Sequence, residues 1–173
     1  MEFGLLLIRV VVGLTLAAHG AQKLFGMFGG YGIAGTGQYF ESIGFRPGRV
    51  LATIAGLGEF GGGLALALGL LTPFASAAII ATMAVAIWSV HLEKGFFNHG
   101  GGYEFPLMIA AIALGIAFAG AGSLSLDAML GIPRSGAEWG FVALGLGLAG
   151  ALPPLIARAG AVGHQNTPLK KLG

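Results

Sequence analysis

The chain has no cysteine among its 173 residues. That excludes disulfides, a Cys-X-X-Cys redox pair, thiolate zinc sites and cysteine-held iron–sulfur clusters within this chain. Charge is scarce too: only 9% of the residues are Asp, Glu, Lys or Arg. A soluble domain carries about a quarter. The net charge is +2 and the basic residues are scattered, so no nucleic-acid partner is expected.

What is present is apolar. Hydrophobic residues make up 55% of the chain, and the mean hydropathy is +0.85. There are too few polar groups to cover a surface in water, so lipid is the expected solvent. The glycine count is 33, which suits transmembrane helices that use small residues for close packing. Pairs at spacing four, Gly58 with Gly62 and Gly136 with Gly140, are candidates for such crossings.

Crossing a bilayer core takes about 20 mostly apolar residues. Five segments qualify: 4–24, 50–71, 74–91, 105–122 and 138–157. The second and third meet at LLTPFAS, where Pro73 breaks the run. The fifth ends or kinks early at Pro153-Pro154. The first segment is read as a retained span rather than a cleaved signal, because Glu2 replaces a basic start and Arg9 interrupts the apolar run. The predicted fold is all-α: a polytopic bundle with a four-helix transmembrane core over 1–127. Residues 128–173 add a fifth span and a short cytoplasmic tail.

Lysine and arginine set the expected direction. With the N-terminus outside, the inner side carries Lys23, Arg46, Arg49, Lys94, Arg158, Lys170 and Lys171, and the outer side only Arg134. The C-terminus is then expected on the inner side.

The scarce polar groups gather. The stretch HLEKGFFNHGGGYE, 91–104, forms the inner loop between the third and fourth spans. His19 and Lys23 lie one turn apart on the first span, and Arg9 falls within about 80° of both at ~100° per residue. This polar stripe should face the bundle interior or a wet cavity. Glu59 is about 13 Å inside the second span at the helical rise. It needs a partner or a proton, and the candidates are His19, Lys23 and Arg9, with His19 nearest in depth. His91 closes the third span. Glu104 opens the fourth beside Tyr103, in a position that also suits a plain helix-start acid. No ligand spacing here is diagnostic of a metal.

The segments LLLIRVVVGLTLAAHGAQKLFG, GLGEFGGGLALALGLLTPFAS, VHLEKGFF with GGYEFP, and SLSLD occur in this order. Over residues 4 to 127 the chain resembles the DoxX family of small bacterial and archaeal membrane proteins. The resemblance implies a four-helix core in a prokaryotic cytoplasmic membrane. It singles out Arg9, His19, Lys23, Glu59, His91 and Glu104 as recurrent polar positions. It also implies a link to quinone-reducing and oxidative-stress oxidoreductase assemblies, in which related chains are subunits.

The leading expectation is therefore a membrane subunit of an oxidoreductase assembly that meets a quinone. Glu59 and His19 would handle protons, and Arg9, Lys23, His91, Tyr103 and Glu104 would line the ligand pocket near the cytoplasmic face. No flavin or nucleotide motif is visible, so a protein partner is expected to bring the redox centre. Haem between His19 and His91 is disfavoured, because each histidine has a simpler role. Two other readings stand: a non-enzymatic scaffold or assembly factor, and a small-molecule or lipid transporter working as a homo-oligomer.

Overall fold

The computed structural model describes residues 2–165. Lys170 and Lys171, counted above for the inner side, lie outside the described residues. Within these limits the chain is helical and has no strand.

The first helix, α1, runs Glu2–Phe25. A single turn at Met27–Gly29 leads into a short helix, α2, Gly32–Ser42. The long helix α3, Gly48–Leu68, begins after Pro47 and stops at Gly69, whose φ of 64° takes the left-handed cap conformation that glycine adopts at no steric cost. Helix α4, Thr72–Ala86, starts with Pro73 in its first turn. It continues through a π-helical turn, Ile87–His91, and a 3-10 turn, Leu92–Lys94. Helix α5, Glu104–Ala119, ends at Gly120; α6, Leu126–Met129, is one turn; α7, Ala137–Gln165, closes the described chain.

Among the described residues four helices are long and apolar enough to cross a membrane: Glu2–Phe25, Gly48–Leu68, Thr72–Lys94 and Ala137–Ala161. The protein is thus an all-α polytopic membrane protein. Helix α5 is shorter than its expected span, 16 residues rather than a full crossing, about 24 Å at the helical rise. Helix α7 exceeds expectation in the other direction. Pro153 and Pro154 sit inside it without ending it. They remove two backbone donors, yet the helix continues through them.

Leu16, Leu66, Ala75, Ile79, Ile80, Met83, Ile109, Ala113 and Ile116 form one core cluster, shared by α1, α3, α4 and α5. Helix α7 lies against α4 and α5, with Gly147 over Ile80 and Gly140 over the ring of Phe118.

The most intimate crossing is between α1 and α3. A Cβ on Gly13 would meet the backbone of Gly63 and Ala67, and one on Gly20 the backbone of Gly56 and Phe60. These glycines repeat at spacing seven on each helix. Of the pairs expected at spacing four, Gly58 and Gly62 do face α4, near Thr82 and Ala78. Gly136 is instead a turn residue with φ 97° and nothing near a Cβ. Gly20→Ala must push two backbones apart, so it should destabilise the protein by about 2 kcal/mol or more. Gly61→Ala meets nothing and should be neutral or stabilising. Thermal unfolding in one detergent compares the two.

Candidate functional site

Alternation of the spans gives the bundle two ends. The basic end holds the last turn of α1, helix α2, the start of α3 and the 92–103 loop. The opposite end holds the start of α1, the 69–72 turn and the 120–136 segment. The expected single polar pocket is divided between them.

At the basic end, Lys23 Nζ donates to Glu59 Oε2 at 2.5 Å, the only ion pair among the described residues. Glu59 is buried, and it lies about 16 Å along α3 from Gly48, at mid-helix. Lys23 reaches it because a helical side chain tilts towards its own N-terminus, here deeper into the bundle. Gly20 and Gly56 bring the two helices close enough for this reach. Carboxylate and ammonium thus neutralise each other where solvation is poor.

Lys23 also lines a cavity of about 780 Å³, open at the surface between the end of α1 and α2. Gln22, Tyr31, Thr36, Gln38 and Tyr39 contribute to its wall. Its size falls in the range of small-molecule sites, about 300–1,000 Å³. Helix α2 supplies most of this wall, in the stretch between the first two expected spans. The helix holds because Gly37 lets α2 pack directly on the backbone of Arg49.

The remaining candidates are placed elsewhere or otherwise engaged. His19 is exposed, and its Nδ1 pairs with Gln22 Oε1 at 3.1 Å, so it is not the partner of Glu59. His91 Nδ1 sits 2.6 Å from the Gly101 carbonyl, and the π-helical turn carries it there. Glu104 Oε2 accepts from the Asn98 backbone at 2.9 Å and so closes the loop before α5. Tyr103 stacks edge-on against Phe96. These contacts shape the 92–103 loop rather than meeting Glu59.

Arg9 lies at the opposite end and is a correction to the expected stripe. It is fully buried, and its Nη2 donates to the Leu124 carbonyl at 2.6 Å. Nearby, Asp127 is 1% exposed and accepts from Leu71 N, Thr72 N and Thr72 Oγ1 at 2.7, 3.0 and 2.7 Å. It thereby caps α4 from 55 residues away and holds Leu71 at a φ of 47°, a left-handed conformation a leucine does not adopt cheaply. Glu2 Oε2 accepts from Ser123 N and Oγ at 2.5 and 2.8 Å. A smaller hollow of about 210 Å³ lies here over Ser123, Ser125, Asp127 and Arg134. Its polar groups mostly bind one another, so it reads as a lock between α1, α4 and the 120–127 segment. Sequence reasoning missed Asp127. The available signal was that LLTP opens a helix without a cap of its own.

Among the described residues no three His, Cys, Asp or Glu side chains are grouped to hold a metal ion.

Comparison with known proteins agrees with this architecture. The family model described as DoxX matches residues 4–92. The chain is 33% identical over 126 residues to a Bacillus subtilis (strain 168) protein named "Putative oxidoreductase CatD", covering 73% of this chain and 86% of the relative. It is 34% identical over 65 residues to an uncharacterised Haemophilus influenzae protein, covering 38% of this chain and 43% of the relative. No solved structure matches.

Proposed function

This chain belongs to the DoxX family, and from that premise we propose that it is the membrane subunit of an oxidoreductase assembly and receives a quinone headgroup in the cavity beside Lys23. The observation that carries this reading is the ion pair of buried Glu59 with Lys23, which lines that cavity. A quinone taking two electrons must also take two protons. Lys23 Nζ can hydrogen-bond a quinone carbonyl, and Glu59 behind it can accept or deliver a proton, as a buried carboxylate does once its counter-ion is engaged elsewhere. Tyr31 and Tyr39 line the same cavity and supply aromatic surface suited to a planar headgroup.

The electrons come from a protein partner. The name of the Bacillus relative favours redox chemistry over pure scaffolding. Residues 1–127 form the working unit in this proposal, and α7 is an addition that braces α4 and α5. The membrane is the cytoplasmic one, with the basic end inside.

A photoreactive quinone analogue tests the site. Labelled peptides should map to residues 22–42, and excess unlabelled quinone should compete. Labelling confined to 92–104 or to α7 would overturn the assignment.

A further inference from the structure

Three arginines of the basic end are not used by the site above. Arg158 of α7 donates through Nε to the Ile43 carbonyl at 2.8 Å, and its guanidinium lies over the Phe45 ring at 5.7 Å. Phe45 is 2% exposed, so this arginine rests on a rigid platform. Arg46 follows Phe45 directly and is exposed. Arg49, in the first turn of α3, is exposed too, with its stem laid across Gly37 of α2. Among the described residues none of the three has a carboxylate within ion-pair distance. Glu41 of α2 is engaged otherwise, its Oε1 accepting from the Gly48 backbone at 3.1 Å. Arg158 rests on Phe45, Arg46 follows that residue in the chain and Arg49 comes three residues later, so α7, the connecting loop and α3 each bring a positive charge to this junction. The positive end of the α3 dipole points the same way.

Depth decides what kind of anion belongs here. Arg158 lies 21 residues beyond Ala137, about 32 Å along α7 at the helical rise. That is one hydrocarbon thickness, so the guanidinium arrives at the headgroup level. Apolar faces run from the arginines towards the bilayer centre. Val50, Ile54 and Leu57 are exposed on α3, and Leu152 and Ile156 on α7. A phosphate above and two acyl chains below fit this arrangement.

We propose that Arg46, Arg49 and Arg158 bind the phosphate of an anionic phospholipid, with its acyl chains along the exposed faces of α3 and α7. The ligand is a phosphodiester held by guanidinium groups through charge-assisted hydrogen bonds. The site is separate from the Lys23 cavity and does not depend on the redox reading.

The test uses the full chain, delipidated in a neutral detergent. Phosphatidylglycerol, phosphatidylcholine and inorganic phosphate are each titrated while the thermal unfolding midpoint is followed. Phosphatidylglycerol should raise the midpoint, and phosphatidylcholine and inorganic phosphate should not. In the Arg46→Gln/Arg49→Gln variant the apparent affinity for phosphatidylglycerol should fall about 30-fold. Arg46→Gln alone changes an exposed side chain and serves if the double variant does not fold; its affinity should fall about fivefold. Equal shifts from both lipids, an equal shift from inorganic phosphate, or unchanged affinity in the variant that folds would overturn the proposal.

Discussion

Asp127→Ala is expected to destabilise the protein by about 3–5 kcal/mol, enough to prevent recovery of folded protein from membranes. The buried carboxylate accepts three hydrogen bonds from Leu71 and Thr72. Its removal leaves two backbone donors and a hydroxyl without acceptors, where lipid and packed side chains offer none. It also releases Leu71 from its left-handed conformation. Finally it strips a negative charge from beside Arg9, which is fully buried and whose Nε and Nη1 have no acceptor among the described residues. Asp127→Asn should fall between, because the amide oxygen still accepts a hydrogen bond while the charge is lost. Folded yield and unfolding temperature in detergent order the three proteins. An alanine variant as stable as the parent would show that the lock at this end carries no load.

Glu59→Gln should act on turnover rather than on stability. Glutamine keeps the volume and can still accept from Lys23, so α1 and α3 should remain packed and the protein partner should still copurify. It cannot carry a proton. Quinone reduction by the assembled complex should therefore fall about 100-fold, the lower range for loss of a positioned acid–base group. A scaffold would keep its activity through this change. Assay of the intact complex, with partner stoichiometry measured in the same preparation, separates the two.

Much of the architecture was legible in the sequence because lipid imposes one demand, a long apolar helix, and hydropathy reads it directly. The first three spans and the break at Pro73 follow from that demand and from backbone sterics; Gly69, which ends α3 two residues before the expected bound at 71, does not. Helix α2 did not, because its glycines lower local helix propensity and only the contact of Gly37 with Arg49 explains why they are there. Pro153-Pro154 misled in the opposite sense, since a proline pair weakens a helix locally without ending one supported by neighbours.

The candidate site was half legible. Scarcity of charge pointed to Glu59 and Lys23, and the structure pairs them. Estimated depth favoured His19 instead. That estimate ignored the tilt of helical side chains, which lets the longer Lys23 reach inward from further out. Arg9 shares a helical face with Lys23 but is bound by Leu124, 115 residues further along the chain, a partner that no local periodicity reveals.

The central claim is that Glu59, paired with Lys23 of the α1–α2 cavity wall, exchanges a proton when a quinone is reduced there. Infrared difference spectra of the reconstituted complex, taken before and after reduction of bound quinone, read carboxyl protonation directly. The account predicts a carboxyl signal in the parent protein that disappears in Glu59→Gln. Identical spectra from the two proteins, with quinone demonstrably reduced in both, would contradict it.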